Sequence, residues 1–262
     1  MGWKVIDGKK YHFYSSGVME TGWTSIYNQK EYTYYYLDEN SGAMQTGWLQ
    51  KQGSWYYLNT DGARQTDWKV IGGKWYHFYS SGVMEMGWTS TYNQKTGEYT
   101  YYYLDKNSGA MRTGWLQEEG KWYFLNSSGV RQTGWLSTGG KWYYLSSSGV
   151  MATGSETIGG VNYYFDNSGA MQTGWVQESG YWYFFNSNGS RQTGWLSTGG
   201  NWYYLNSSGI MATGSHSIDN VDYYFDKSSG AMRTGWQKNS SYWHYFNSNG
   251  SEYKGWLKLG GS

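Results

Sequence analysis

Hydrophobic and polar positions alternate along the chain in a pattern that returns about every 20 residues. Each unit reads Gly-Trp, a few polar residues, a glycine-rich turn, an aromatic triplet and a polar linker with another glycine, as in residues 134–150. Two short alternating segments around such a turn predict a β-hairpin, and no segment shows a helical period. Because a lone hairpin is marginally stable in water, we expect an all-β solenoid of short β-hairpins that pack on one another.

The Gly-Trp position defines the register of this repeat. The step is 20 residues, and it is longer only after Trp23, Trp88 and Ser215. The position is occupied by Trp3, Trp23, Trp48, Trp68, Trp88, Trp115, Trp135, Ser155, Trp175, Trp195, Ser215, Trp236 and Trp256. This spacing predicts one module over residues 1–262, with about 12 hairpin repeats and a C-terminal stub.

A second, slower period groups the repeats in threes. Four residues before each Gly-Trp position the chain carries, in order, Met19, Met44, Arg64, Met84, Met111, Arg131, Met151, Met171, Arg191, Met211, Met232 and Glu252. The order is Met, Met, Arg until the last repeat. We therefore expect about three repeats per superhelical turn, with equivalent hairpins stacked in three columns.

Composition and charge narrow the class of protein. Aromatic residues make up 21% of the chain, with 18 Trp and 30 Tyr, and there are 39 Gly and no Pro or Cys. The net charge of +1 without a basic cluster argues against nucleic acid as a partner, and the lack of Cys removes thiol chemistry. No apolar stretch approaches the roughly 18 residues of a membrane helix, so membrane insertion is not expected. Neither a cofactor nor a metal site is predicted.

The tryptophans occupy two positions in the repeat. Eleven lie in the Gly-Trp position and seven lie seven residues further on, where they open the aromatic triplet. Strand alternation puts the first and third rings of a triplet on one face and the middle tyrosine on the other, so middle tyrosines such as Tyr143 and Tyr203 are predicted to face the interior. Two repeats have lost both tryptophans together, as an unused paired site would. The outer rings then suit a quaternary ammonium, because each ring face attracts a cation by roughly 0.5–2 kcal/mol.

The repeat resembles the choline-binding repeat family of streptococcal surface proteins, autolysins and phage lysins, most clearly in residues 133–145 and 193–205. The resemblance implies that choline lodges between consecutive hairpins, caged by two Trp of one hairpin, an aromatic residue of the next and often a Met. It also implies a non-enzymatic, extracellular module that attaches to the cell wall by binding choline or phosphocholine of teichoic or lipoteichoic acids.

Carried over residue by residue, the resemblance implies three full cages in the first column. Their members are Trp68, Trp75, Met84 and Tyr103; Trp135, Trp142, Met151 and Tyr164; and Trp195, Trp202, Met211 and Tyr224. The second-rank residues are Trp48, Trp55, Trp115, Trp122, Tyr144, Trp175, Trp182 and Tyr204. Their Trp pairs belong to the third column and are predicted to meet Arg64, Arg131 and Arg191, which would repel a cation, so the first column should fill first. Second-column hairpins have lost one Trp or both, so they should bind more weakly, and those around Ser155 and Ser215 should stay empty.

Three other interpretations are open at the level of sequence, and one of them, a purely structural spacer, would leave the Trp pairs unexplained. A glucan- or carbohydrate-binding repeat of a glucosyltransferase- or toxin-like protein would also use stacked Trp and Tyr, although Trp pairs seven residues apart favour choline. An enzyme is disfavoured because the four His stand in separate repeats. The carboxylates that follow second-column triplets, at Asp38, Asp105, Asp166 and Asp226, suit turn hydrogen bonding.

Overall fold

The described part of the chain consists of antiparallel two-stranded hairpins. The computed structural model describes residues 2–27, 29–238 and 242–255, and this part contains 24 strands and no helix. Consecutive strands pair, so β1 and β2 form hairpin 1 and β23 and β24 form hairpin 12. The hairpin repeat and the all-β hairpin solenoid predicted from the sequence are confirmed.

The chain divides into two compact units, Met1–Gln132 and Thr133–Ser262. Strands of the first unit are β1 Gly2–Ile6, β2 Lys9–Phe13, β3 Gly22–Tyr27, β4 Tyr32–Leu37, β5 Gly47–Lys51, β6 Ser54–Leu58, β7 Asp67–Ile71, β8 Lys74–Phe78, β9 Gly87–Asn93, β10 Glu98–Leu104, β11 Gly114–Glu118 and β12 Lys121–Leu125. Strands of the second unit are β13 Gly134–Thr138, β14 Lys141–Leu145, β15 Gly154–Ile158, β16 Val161–Phe165, β17 Gly174–Glu178, β18 Tyr181–Phe185, β19 Gly194–Thr198, β20 Asn201–Leu205, β21 Gly214–Ile218, β22 Val221–Phe225, β23 Gly235–Lys238 and β24 Trp243–Phe246.

The short hairpins close through turns whose two central residues have positive φ. Gly139 and Gly140, for example, have φ of 58° and 73°. Such a turn matches the right-handed twist of the flanking strands, and glycine adopts it without a Cβ clash. The Gly-Gly and Asp-Gly pairs of the repeat therefore set both the position of each turn and the strand register.

Within each unit, linkers after the first hairpin bond to two hairpins at once. Met171, in the linker after hairpin 8, forms an antiparallel bridge with Phe165 of its own hairpin. Its backbone N–H donates to the carbonyl oxygen of Trp142 in hairpin 7 at 2.8 Å. The next residue, Gln172, donates its N–H to the carbonyl of Tyr164 at 2.8 Å. These bonds fix how each hairpin sits on the one before it.

The fully buried interior is formed by the residue that follows each aromatic triplet, which lies two positions after the middle tyrosine and therefore on the same strand face. The fully buried members of this position include Leu37, Leu58, Phe78, Leu104, Leu125, Leu145, Phe165, Leu205 and Phe225. By contrast, Tyr203 is only partly buried and packs against Trp175, with ring centroids 4.8 Å apart. The middle tyrosine thus lies on the predicted inner face, buried at Tyr76 and only partly buried at Tyr143 and Tyr203, while Leu and Phe form the fully buried layer.

No segment in the described residues is a helix of the length and apolar character needed to cross a membrane.

Candidate ligand cages

The two tryptophans of a hairpin lie on the same face. In hairpin 7, Trp135 pairs directly with Tyr144 across the strands, and Ser137 pairs with Trp142, so all four side chains share that face. The indole centroids of Trp135 and Trp142 are 6.3 Å apart and the ring planes are at 81°. The two indole rings therefore form two walls of an open cage.

The third wall comes from the next hairpin. The ring of Tyr163, the middle residue of the hairpin 8 triplet, lies 4.9 Å from the ring of Trp135 at 70°. The floor carries the linker residue after hairpin 8, Met171, whose N–H bonds to the carbonyl of Trp142 at 2.8 Å. Three rings thus surround one space between consecutive hairpins, and in the equivalent clefts at Trp68 and Trp175 the linker residues Met111 and Met211 line the same space.

Five such cages lie within the two units. In each, the centroids of the Trp pair are 6.3–6.5 Å apart and the middle tyrosine of the next hairpin is 4.8–4.9 Å from the first Trp. Their members are Trp48, Trp55, Tyr76 and Met84; Trp68, Trp75, Tyr102 and Met111; Trp135, Trp142, Tyr163 and Met171; Trp175, Trp182, Tyr203 and Met211; and Trp195, Trp202, Tyr223 and Met232. The pair Trp115 and Trp122, in the last hairpin of the first unit, has the same separation of 6.4 Å.

These cages are open to solvent. Trp142 is 49% exposed and Trp75 is 46% exposed, although both are large aromatic side chains. The clefts at Trp68 and Trp175 are also lined by serines from the following linker, Ser127 with Ser128 and Ser228 with Ser229. The walls are therefore available to a small ligand that enters from solvent.

The predicted third aromatic residue of each cage was wrong by one position. Tyr103 pairs with Trp88 across its own hairpin, and Tyr164 and Tyr224 pair with Ser155 and Ser215 at the same position of theirs. The cages of the preceding hairpins instead receive Tyr102, Tyr163 and Tyr223. Tyr144 and Tyr204, predicted in the second rank, likewise pack beside the Trp of their own hairpin, with centroids 5.3 Å apart. Strand alternation was read correctly, but the face opposite the Trp pair meets the preceding hairpin.

Tyr103 shows what the third ring of a triplet does instead. It is 4% exposed and packs with Leu116 and Leu125 of the next hairpin. Its phenol donates a hydrogen bond to Glu118 at 2.6 Å. Burial, together with this bond to a carboxylate, raises the pKa of Tyr103 to about 12.

The predicted methionine of each cage was wrong by one linker. Met84 donates its N–H to the carbonyl of Trp55, and Met211 donates to that of Trp182, so both belong to third-column cages. The first-column cages at Trp68, Trp135 and Trp195 receive Met111, Met171 and Met232, and not Met84, Met151 and Met211. A linker therefore serves the hairpin before its own.

The same shift moves the arginines out of the third column. Arg64 donates its N–H to the carbonyl of Tyr34 at 2.8 Å, and Arg191 donates to that of Asn162 at 2.8 Å. Both partners lie in second-column hairpins. The Trp pairs of the third column therefore do not meet an arginine within the units, and the reason for ranking them second is removed.

Two second-column hairpins have lost both tryptophans. In hairpin 8 the positions hold Ser155 and Asn162, and the Asn162 side chain accepts a hydrogen bond from Thr157 at 2.6 Å. In hairpin 11 they hold Ser215 and Asp222, which line a cleft of about 190 Å³ together with His244 and Glu252.

The carboxylates at the polar cleft of hairpin 11 are paired with basic side chains of the same unit. The ammonium of Lys254 lies 2.7 Å from the Asp222 carboxylate, and their hydrogen bond lowers the pKa of that carboxyl. His244 Nδ1 pairs with Glu252. This cleft has no indole wall, which agrees with the prediction that these hairpins lack a full aromatic site.

Two histidines and the turn carboxylates have neighbours that suit a structural role. His12 lies 3.1 Å from Glu20 and His77 lies 3.0 Å from Glu85, and both carboxylates are buried. The carboxylates of Asp38, Asp105, Asp166 and Asp226 accept hydrogen bonds from serines in the turn that follows them, as the sequence predicted. In the part of the chain that the structure describes, no three His, Asp or Glu side chains are grouped to hold a metal.

Trp256, which the repeat spacing places in the last Gly-Trp position, lies outside the described residues.

Open aromatic cages between consecutive hairpins define a repeat-built binding module. Models of the choline-binding repeat match residues 1–46, 65–114, 112–155, 152–191, 173–207, 192–234 and 233–262, and a putative cell wall binding repeat matches residues 46–63. The chain belongs to the choline-binding repeat family, which confirms the resemblance seen in the sequence. Proteins of this type are associated with the cell surface.

Solved structures from Streptococcus pneumoniae are similar over most of the chain. CbpJ from strain TIGR4 is 34% identical, with a TM-score of 0.61 over 96% of this chain and 94% of that one. Choline binding protein F is 29% identical, with a TM-score of 0.58 over 89% of this chain and 94% of that one. The choline-binding domain of CbpL is 27% identical, with a TM-score of 0.52 over 75% of this chain and 100% of that one. No curated protein sequence matches the chain.

Proposed function

We propose that this chain attaches non-covalently to the bacterial cell wall by binding the choline groups of teichoic or lipoteichoic acids. The observation that carries the proposal is the repeated corner of two perpendicular indoles, closed by a tyrosine of the next hairpin and a methionine. Membership of the choline-binding repeat family and likeness to choline binding protein F support it.

The cage chemistry suits a quaternary ammonium. Such a cation has no hydrogen-bond donor, so polar partners gain little from it, whereas the negative faces of three rings attract it. At roughly 0.5–2 kcal/mol for each ring, a cage supplies a few kcal/mol. Since about −4 kcal/mol corresponds to a Kd of about 1 mM, we expect millimolar affinity for free choline.

Repetition converts weak sites into firm attachment. A polymer that displays many choline groups can engage several cages at once, and each additional contact forms at a high effective concentration. The third-column cages at Trp48 and Trp175 have the same walls as those of the first column, so we expect both columns to bind with similar affinity. The cages at Trp68, Trp135 and Trp195 should then show no priority over them.

The test is a titration of the ¹⁵N-labelled protein with choline, in which the indole N–H signals report each site separately. We expect millimolar shifts at the Trp pairs of the five cages. The matched control ligand is 3,3-dimethyl-1-butanol, which has the shape of choline without its charge and should bind clearly more weakly. Equal binding of the two would mean that the rings bind an apolar group and not a cation.

A second arm separates choline from sugars. The protein should be retained on a resin that bears tertiary or quaternary amines and should elute with choline. Retention on a dextran resin, with indole shifts produced by glucan oligomers and none by choline, would assign the module to the glucan-binding class instead.

A further inference from the structure

The second-column hairpins 2 and 5 keep an aromatic cage, but its contents differ from those of the other columns. In hairpin 2 the walls are Trp23, Tyr34 in place of the second Trp, and Tyr56 of hairpin 3, whose ring lies 4.9 Å from that of Trp23. The linker residue that serves this cage is Arg64, where the cages with Trp pairs have a methionine. Three aromatic walls are therefore present.

The side chain of Arg64 lies in this cage. Its guanidinium carbon is 4.2 Å from the centroid of the Tyr34 ring and 5.9 Å from that of Trp23, both within the range of a cation–π contact. Its Nη2 donates to the carbonyl oxygen of Ser80 at 3.0 Å, which holds the group in place. Burial lowers the pKa of Arg64, and arginine nevertheless remains charged in proteins.

Hairpin 5 repeats the arrangement. The guanidinium carbon of Arg131 is 4.2 Å from the ring of Tyr101 and 6.0 Å from that of Trp88. The Arg131 N–H donates to the Tyr101 carbonyl at 2.9 Å, and the third wall, Tyr123, lies 4.9 Å from Trp88. A positively charged group thus faces the same set of rings in two separate hairpins.

Hairpin 8 provides a natural contrast. Arg191 occupies the equivalent linker position, with its N–H on the carbonyl of Asn162, but Ser155 and Asn162 replace both aromatic walls of that hairpin. Its guanidinium carbon is 5.8 Å from Tyr183, the middle tyrosine of hairpin 9. Here the arginine has one ring and no cage.

We propose that Arg64 and Arg131 are tethered cations that occupy the ligand position of the hairpin 2 and hairpin 5 cages and close them to choline. The linker residue then decides which aromatic cages bind, because a methionine leaves the space between the rings free and a guanidinium fills it with charge of the same sign as the ligand. This inference rests on the proposed binding of choline by the cages with Trp pairs.

The test replaces each arginine with the residue that serves the open cages. Arg64→Met and Arg131→Met should each open one additional site, seen as new choline-dependent shifts of the Trp23 or Trp88 indole N–H. Calorimetric stoichiometry should rise by one for each single variant and by two for the double variant. Methionine fits the position, since Met84 and Met111 hold it next to hairpins 3 and 4.

The matched control is Arg191→Met, which removes the same charge where no cage exists. It should leave the stoichiometry unchanged, so a gain in this variant would show that lower net charge alone promotes binding and would overturn the proposal. Circular dichroism melting curves establish that all three variants fold.

The remaining outcomes separate this inference from the proposed function. If the wild-type cages bind choline while folded Arg64→Met and Arg131→Met add no site, the tethered-cation proposal is refuted and choline binding stands. If no cage of the wild type binds choline but Arg64→Met gains a site, the proposed function is refuted while the blocking role of Arg64 is supported. Extra sites for phosphocholine in the wild type that vanish in the Met variants would instead make the arginines phosphate ligands.

Discussion

Tyr163 and Tyr164 are neighbours in strand β16, and the cage geometry assigns choline affinity to only one of them. Tyr163 faces Trp135 of hairpin 7 with centroids 4.9 Å apart, whereas Tyr164 packs against Phe185 of hairpin 9 at 6.0 Å. We therefore compare Tyr163→Leu with Tyr164→Leu. Each removes one ring from the same strand and replaces it with an apolar side chain.

The expected size of the effect follows from the number of rings lost at the cage. Removal of one of three rings forfeits roughly 0.5–2 kcal/mol of cation attraction. This corresponds to a Kd about 2- to 30-fold higher for Tyr163→Leu at the cage of Trp135 and Trp142. Tyr164→Leu leaves all three walls, so its Kd should stay within about twofold of the wild type, although its lost packing should lower thermal stability.

The assay is the choline titration followed at the indole N–H signals of Trp135 and Trp142, with the cage of Trp195 and Trp202 as an internal reference in the same spectra. Both variants should leave the reference Kd unchanged. A Tyr164→Leu protein that loses affinity at Trp135 while Tyr163→Leu keeps it would refute the assignment of the middle tyrosine to the preceding cage.

Three other predictions test the site and the packing beneath it. Trp142→Ala should abolish the millimolar response of its own cage, whereas Asn162→Ala should leave choline stoichiometry unchanged, as measured by calorimetry. His77→Tyr should remove the imidazole that lies 3.0 Å from the buried Glu85 carboxylate and lower the free energy of unfolding by roughly 1–3 kcal/mol. Adding Glu85→Gln should restore most of that loss in a urea titration, and strict additivity of the two changes would contradict the pairing. Because the folded state holds the pKa of Tyr103 near 12, against about 10 when unfolded, its protonated form is favoured on folding. The resulting stability is complete below pH 10 and is lost towards pH 12, so Tyr103→Phe should be less sensitive over that window than the wild type in urea melts.

Much of the fold follows from short-range chemistry and could be predicted from the sequence. Gly139 and Gly140 adopt the positive φ that a two-residue hairpin turn requires, and alternation around them places Trp135 and Trp142 on one face. Both features depend on residues within one hairpin. For that reason the sequence alone predicted the pairing of the tryptophans and the loss of the aromatic site in the Ser155 hairpin.

The residues that form each cage could not be predicted from the sequence in the same way, because they are brought together by contacts between hairpins. Alternation shows that Tyr163 and Tyr164 point to opposite faces, but it does not show which face meets the preceding hairpin. That is set by the backbone bond from Met171 to Trp142, which joins residues 29 positions apart by number (171 − 142). No local pattern reports it, so the tyrosine was misassigned by one residue and the methionine by one linker.

The bond from each linker to the preceding hairpin relates two irregularities of the sequence, the missing second Trp and the charged linker residue. Hairpins that lack the second Trp at Tyr34, Tyr101, Asn162 and Asp222 are served by Arg64, Arg131, Arg191 and Glu252, so each faces a charged residue where the Trp-pair cages have methionine. Hairpin 1 is the exception, since its Lys10 carbonyl accepts the N–H of Met44. A charge at the linker position therefore goes with a changed cage one hairpin earlier. From hairpin 2 onwards, a methionine at this position accompanies each of the five Trp-pair cages and a charged residue accompanies each of the four hairpins named above, so the Met, Met, Arg order follows the tryptophan pattern with a displacement of one repeat.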